Sequence, residues 1–477
     1  MSHDHLPKYD DVEPRWAGMQ EVLRMAGPAI LSNMSFTLMQ FVDMAFVSRL
    51  GKSQLAAVGS AGLWSWVVVA FFVGLVSAVS TFVSQSRGRG DKESCARYAW
   101  QSIYISLATC VIGFALYPFA GALFGSMGHD ADVTRYEVDY FEVRVLLYFL
   151  IPWQAGLSAF FMGINRPWVP MAVTAISNIT NIALDYGLVF GKWGLPRMEV
   201  AGAAWATVAA LGVQCLVMQY IFMTGSARKE YGTTRAMRLD WLKMKELLRI
   251  GWGSGFTWML DVVTWGVFTS YVVGGFGATA LAAHNAAIQV MHISFMPALG
   301  LNHAIAPVVG QWIGRGRIDR AISRAYTATR LASVYMLIMG LVFAVFGKTL
   351  LVAAFDIESD VATLGHQLLL FAAVFQGFDA ITIVISGALR GAGDTKWQAI
   401  VMGLAAYFVF LPLAYGLAVP AGGGALGAWL GATIYIVGLS GLFFYRFYSG
   451  KWRHISIFLE KGGAGPVDTL TPREETN

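Results

Sequence analysis

Long apolar stretches alternate with short polar ones along the whole chain. About twelve of them are long enough to cross a bilayer, over 25–48, 55–84, 98–123, 140–164, 168–190, 200–224, 250–274, 279–312, 326–352, 364–388, 397–419 and 424–447. A spanning helix needs about 20 mostly apolar residues. In lipid only helices and closed barrels satisfy every backbone hydrogen bond, and stretches of this length are helices rather than barrel strands. The pattern therefore predicts an all-α polytopic membrane protein with twelve transmembrane helices.

The pattern also repeats. LAAVGSAG at 55–62 returns as LAAHNAAI at 281–288, and QSRGRG at 85–90 returns as QWIGRG at 311–316. Gly27 and Gly253 keep the same spacing, Tyr186-Gly187-Leu188 matches Tyr415-Gly416-Leu417, and GAAWAT at 202–207 resembles GAWLGAT at 427–433. Two pseudo-symmetric six-helix halves are expected, 25–224 and 250–447. A basic linker over 225–249 joins them, and tails over 1–24 and 448–477 flank them. Six is even, so both halves start on the same side. That is a parallel repeat about an axis along the membrane normal, with a solute path expected between the halves.

Composition agrees with a membrane protein and charge sets its orientation. The chain is 56% hydrophobic and 13% charged, against about 25% charged in a soluble domain. One side of the predicted topology carries Arg49, Lys52, Arg135, Arg144, Lys192, Arg197 and Lys348; the other carries every other member of the 34 Lys and Arg. Basic loops stay in the cytoplasm, which places both termini inside. The net charge of +5 then reflects topology and contact with anionic lipid, not nucleic acid. No basic residue is expected mid-span. Cys95, Cys110 and Cys215 are odd in number and imply no disulfide framework. Residues 1–24 lack a basic n-region and do not read as a signal peptide. The glycines of QSRGRG and QWIGRG are expected in tight cytoplasmic turns, since they lack the phosphate-loop pattern GxxxxGK[ST]. Without that pattern, HExxH or GxSxG, neither an enzyme nor an ATP-driven pump is expected, and no ATP-binding subunit is implied.

Candidate chemistry lies in four aspartates isolated inside apolar segments: Asp43, Asp185, Asp261 and Asp379. An acid at bilayer depth costs roughly 2.5–3.5 kcal/mol on an insertion scale, so its usual work is to hold a cation or carry a proton. Asn181 precedes Asp185 by one turn and shares its face, and Thr207 on the next segment offers a hydroxyl. Carboxylates, an amide oxygen and a hydroxyl suit a small hard cation. Gln376, Asn285 and Gln289 are candidates to line a substrate cavity, although amides of this kind also serve as hydrogen-bonding glue between helices. His284 and His292 lack metal-ligand spacing and read as packed or cavity-facing. Met34 and Met39 flank the first acid and could adapt to varied apolar ligands.

These residues carry a family resemblance. AGPAILSNMSFTLMQFVDMAFVSRLG (26–51), NIALDYGLVFGKWG (181–194) with VAGAAWAT (200–207), LAAHNAAIQ (281–289) and LLLFAAVFQGFDAITIVISGALRGAGDT (368–395) resemble the multidrug and toxic compound extrusion (MATE) transporters, most closely the NorM-like bacterial exporters. The resemblance covers essentially the whole membrane portion. It implies cation-coupling roles for Asp43, Asp261 and Asp379 and, from a related subgroup, for Asp185 with Asn181 and Thr207 beside it. The chain departs from the NorM-like pattern in several places. Asp185 stands where Asn is common, and Asp261 fits the usual Glu position with a one-residue shift. Thr382 stands where Gln is common, and Phe375 replaces a tyrosine seen in some members. The implied function is an antiporter in the bacterial inner membrane, exporting amphipathic or cationic compounds in exchange for Na+ or H+, with Na+ favoured. A monomer without cofactor is expected. A lipid-linked oligosaccharide flippase of similar architecture is the rival, and its polyanionic cargo would call for basic residues in the cavity.

Overall fold

The computed structural model describes residues 16–355 and 357–459. The parts of the expected tails at 1–15 and 460–477 lie outside the described residues. Twelve long helices follow: α1 Ala17–Ser48, α2 Ser53–Gly88, α3 Lys92–Gly125, α4 as the pair Ala131–Leu146 and Leu150–Gly163 bent by 47°, α5 Trp168–Phe190, α6 Glu199–Met223, α7 Trp241–Phe276, α8 Ala278–Gly314, α9 Ile318–Phe355, α10 Ser359–Ala392, α11 Thr395–Ala418 and α12 Gly424–Tyr448. All but α5 pass a length-and-hydropathy test for crossing a membrane, counting α4 as one span. α5 falls short because it carries Ser177, Asn178, Asn181 and Asp185 along one buried face. Its polarity marks the site, not a loop.

Several helices run further than the apolar stretches. α1 takes in 17–24 of the expected tail, and α7 takes in 241–249 of the expected linker. Both extensions carry charge (Glu21, Arg24; Lys243, Lys245, Glu246, Arg249), which hides helix from a hydropathy reading. Asp240 caps α7, its Oδ1 accepting from the backbone N–H of Leu242 and Lys243 at 3.2 Å. A short helix, Gly225–Tyr231, occupies the connection between halves.

The first helix of each half crosses to the other half. Val22, Met25, Ala26 and Ala29 of α1 lie in the core built mainly from α8, α9, α10 and α12. Further along, Val47 of the same helix lies in a first-half core with Tyr140, Val145 and Val189. α7 does the reverse: Met244, Leu247 and Ile250 join the first-half core around Phe82 and Tyr98, whereas Phe268 and Val272 join the second-half core. The halves are thus stapled together at the face bearing both described chain ends. Asp43 and Asp261 lie beyond the staple, on the stretches where each helix has returned to its own half.

The two copies of the glycine motif meet at this face. Gly90 and Gly316 take φ of 83° and 75°, as their expected turns require. Gly88 and Gly314 do something else. A Cβ on Gly88 would collide with the Gln311 carbonyl, and one on Gly314 with the Gln85 carbonyl, so α2 and α8 cross in backbone contact, as small residues permit between helices. Polar ties reinforce the crossing. Thr81 donates to the Arg390 carbonyl at 2.9 Å, Gln85 to the Gly391 carbonyl at 3.0 Å, and Asn165 to Gln311 Oε1 at 2.8 Å. Glu21 of α1 accepts from Arg324 Nε of α9 at 2.6 Å. The chain beyond α12 returns beneath both halves. Ile457 is buried in the first-half core, and the Arg89 guanidinium sits 4.0 Å above the Phe458 ring. Gly88→Ala and Gly314→Ala are each expected to destabilise the protein by about 1–3 kcal/mol through overpacking, read as a lower melting temperature in detergent. Wild-type melting of both variants would mean that these helices do not cross so closely.

Candidate functional site

The first-half site grows from one polar stripe on α5. Ser177 donates to the Ala210 carbonyl of α6 at 2.9 Å, and Asn178 donates to Ser35 Oγ of α1 at 2.6 Å. These bonds fix α5 against both neighbours. The next turns of the stripe place Asn181 and Asp185, both fully buried, beside Asp43 of α1. The two carboxyl groups adjoin, and Asn181 adjoins Asp185. Asp43 Oδ1, both Asp185 oxygens and both amide atoms of Asn181 are buried without a hydrogen-bond partner among the described residues. Buried polar atoms are normally satisfied. Four unpaired oxygens in one place form a hard donor set that a small cation or a proton would satisfy.

Thr207 uses its proton within its own helix. Its hydroxyl donates to the Ala203 carbonyl one turn back on α6, at 2.9 Å. A residue absent from the sequence-derived list stands nearby: Arg144. It was assigned to the outer side of the topology, and it lies near the end of the first segment of α4, close to the bend before Leu150. Arg135, Glu137 and Asp139 hide the first positions of this helix from a hydropathy reading, which opened the span at 140. Arg144 donates to the Tyr140 hydroxyl at 2.9 Å and lies within Coulombic range of Asp43.

The second-half site is less enclosed. Asp379 of α10 is buried, whereas Asp261 of α7 is exposed. The two carboxylates lie within Coulombic range of each other and of the Tyr435 hydroxyl. Along α10, Gln376 Oε1, Asp379 Oδ2 and Thr382 Oγ1 fall at successive turns of one face, all buried and unpartnered among the described residues. The Gln376 amide nitrogen is committed, donating to Ser294 Oγ at 2.8 Å. Thr264, three residues after Asp261, has a buried unpaired hydroxyl as well. Aromatic rings stand beside the acids: Tyr435 stacks on Phe410 at 4.7 Å, and Phe410 packs on Phe268 and Trp265 at 5.0 and 5.6 Å. Thr264, Thr382 and Tyr435 were not among the expected site residues. The threonines could have been found by their three-residue spacing from an aspartate; Tyr435, on α12, could not.

The other candidates separate cleanly. The Trp429 indole N–H, which can only donate, points to His284 Nδ1 at 3.2 Å, so the ring proton sits on Nε2 and faces Thr269 Oγ1 at 2.9 Å. His284 is a packed histidine. Asn285 and Gln289 are exposed, not helix–helix glue, and Gln289 contacts only His292 of its own helix, at 3.3 Å. Met39 is buried and Met34 is exposed. Neither methionine is placed at an acid by a recorded contact.

Comparison with known proteins identifies the architecture. The MatE family model matches residues 28–187 and again 258–416, once in each half. A probable multidrug resistance protein NorM of Thermotoga maritima is 28% identical over 454 residues, spanning 94% of this chain and 95% of the relative. Its counterpart in Pseudomonas aeruginosa is 30% identical over 433 residues, spanning 88% and 86%. Among solved structures, the outward-facing conformation of a multidrug resistance MATE family transporter of the MOP superfamily superposes with a TM-score of 0.83. It is 20% identical and covers 93% of this chain and 98% of that one, a likeness of fold.

Proposed function

The chain belongs to the MatE family of membrane transporters, and from that premise we propose that it is a multidrug efflux antiporter of the NorM type. It takes amphipathic or cationic compounds from the cytoplasm or inner leaflet to the outside, in exchange for a cation moving inward. The observation that carries this reading is that each half bears a buried acid with unsatisfied oxygens, Asp185 and Asp379, while the halves are stapled at the face bearing both described chain ends. If the basic loops and both termini are cytoplasmic, the stapled face is the cytoplasmic one and the conformation is open outward. Rocking of the halves about the staple then exposes the path to the other side. The acid–aromatic group Asp261, Asp379, Trp265, Phe410 and Tyr435 suits an organic cation, because ring faces and carboxylates both attract positive charge. One charge moving down 100 mV releases about 2.3 kcal/mol, enough for a modest drug gradient per cycle.

Arg144 bears on the flippase reading, which was disfavoured because no basic residue was expected mid-span. Its guanidinium faces Tyr140 and Asp43, however, not an anionic cargo. Everted membrane vesicles provide the test. Ethidium accumulation is expected on imposing a Na+ or H+ gradient and to cease when both are collapsed. Accumulation that ignores both gradients, or its absence at normal expression, would sink the antiport reading.

A further inference from the structure

Two anchors beyond α12 belong to different halves. Trp452 is buried in the second-half core, stacks on Phe447 of α12 at 5.1 Å and donates its indole N–H to the Phe447 carbonyl at 2.9 Å. Ile457 is buried in the first-half core and also presses on Gly393, just after α10, where a Cβ would collide with its Cγ2. It is wedged between the halves. The next residue turns to the first half. Phe458 lies 4.0 Å beneath the Arg89 guanidinium of α2, edge-on to Phe82 at 5.9 Å and tilted against Tyr98 of α3 at 6.4 Å. Polar bonds hold the backbone of this stretch. Arg249 donates to the Ser456 and Ile457 carbonyls at 3.1 and 2.7 Å. The Leu459 N–H donates to Glu246 Oε1 at 2.6 Å, and the Tyr98 hydroxyl donates to Glu246 Oε2. Glu246 and Arg249 stand at the foot of α7, where Met244, Leu247 and Ile250 pack into the first half.

We propose that residues 455–459 form a clasp that ties the second half to the first across the stapled face and lets go of the first half each time that face opens. This rests on the reading of the chain as a transporter whose halves rock. The two ends of the segment are not equally free to part. Trp452 follows directly on α12 and is sealed in the apolar packing of its own half, so it travels with that half. At the other end, three hydrogen bonds to the backbone and a cation over a ring hold a stretch whose Ser456 and Leu459 are exposed. Water can take the place of those partners as the clasp lifts. The clasp meets the first half only while this face is closed, and a contact made in one conformation alone shifts the equilibrium toward it. Weakening the clasp therefore raises the share of molecules open at this face.

Crosslinking tests this in a protein whose Cys95, Cys110 and Cys215 are replaced by alanine. Arg89→Cys with Phe458→Cys puts one thiol on each side of the contact, to be joined by a bis-methanethiosulfonate that reductant cleaves. Ethidium efflux from proteoliposomes is expected to fall about tenfold or more on joining and to return on reduction. Asp394→Cys with Arg446→Cys replaces an ion pair inside the second half, 2.7 Å across, and joining that pair should leave efflux unchanged. Full efflux with Arg89→Cys and Phe458→Cys joined overturns the proposal. A second measurement needs neither crosslink nor transport. Ser84→Cys puts a thiol at the closed crossing of α2 and α8, where Ser84 is buried against Gly310. In nanodiscs, Phe458→Ala is expected to speed its labelling by a water-soluble maleimide about threefold. Val189→Cys, buried in the first-half core that holds Val47, should label no faster. An unchanged rate at Ser84→Cys, or equal acceleration at both positions from general loosening, would sink the clasp. If no gradient drives efflux in the uncrosslinked parent, the antiport reading fails, while the labelling still decides the clasp.

Discussion

Cells producing the Asp379→Asn protein are expected to lose drug resistance to the level of cells without the transporter, while the protein reaches the membrane in normal amounts. The substitution removes a charge at nearly constant volume, so packing around α10 should survive. Asp379 is 8% exposed and its Oδ2 has no partner among the described residues, so no structural bond of that oxygen is lost. What disappears is the negative charge opposite Asp261 and beside Tyr435. Truncating one partner of the desolvated pair that Asp379 would make with a bound cation costs about 2–5 kcal/mol; at 1.36 kcal/mol per tenfold, even the middle of that range slows efflux more than about 100-fold. Wild-type resistance at matched expression would remove Asp379 from the mechanism and leave the first-half pair as the whole coupling apparatus.

Most of this architecture was legible before any coordinates, because lipid forces a simple grammar on the chain. Each span must be a long apolar helix, and an acid within one stands out. That logic found Asp43, Asp185, Asp261 and Asp379, and the i, i+4 spacing added Asn181. It failed where polarity and membrane depth coincide. The first segment of α4, Ala131–Leu146, begins well before the stretch read as spanning from 140, because its charged residues swamp the hydropathy average. The motif glycines were recognised as repeated, yet only the packing of α2 on α8 separates the turn-formers Gly90 and Gly316 from the crossing residues Gly88 and Gly314. Likewise, no periodicity predicts that Ile457, beyond the last helix, is buried in the core of the first half. Such long-range contacts are set by which helices become neighbours, and a hydrophobic pattern is silent about that.

The first-half pair should decide the coupling ion, and Asp185→Asn is expected to abolish cation-driven efflux altogether. Asp185 is fully buried, with both oxygens unpaired, beside a second carboxylate and an amide whose oxygen is unpaired too. A proton needs only one carboxylate oxygen. The unpaired Asn181 Oδ1 is surplus to a proton but useful to Na+, which takes several hard oxygen ligands. We therefore expect a Na+ gradient opposed to the drug gradient, at fixed pH, to drive efflux in proteoliposomes. Asn181→Ala should raise the Na+ concentration needed about tenfold, the loss of one ligand worth roughly 1.4 kcal/mol. Thr207→Ala should weaken the Na+ response only if its oxygen, whose proton is given to the Ala203 carbonyl, joins the cation's ligands. Asp43→Asn and Asp185→Asn combined should be no worse than either alone, since neighbouring groups acting on one bound ion are not additive. If a pH gradient in Na+-free buffer drives full transport and Asn181→Ala leaves it untouched, the pair is a proton carrier. Asn181 is then helix packing.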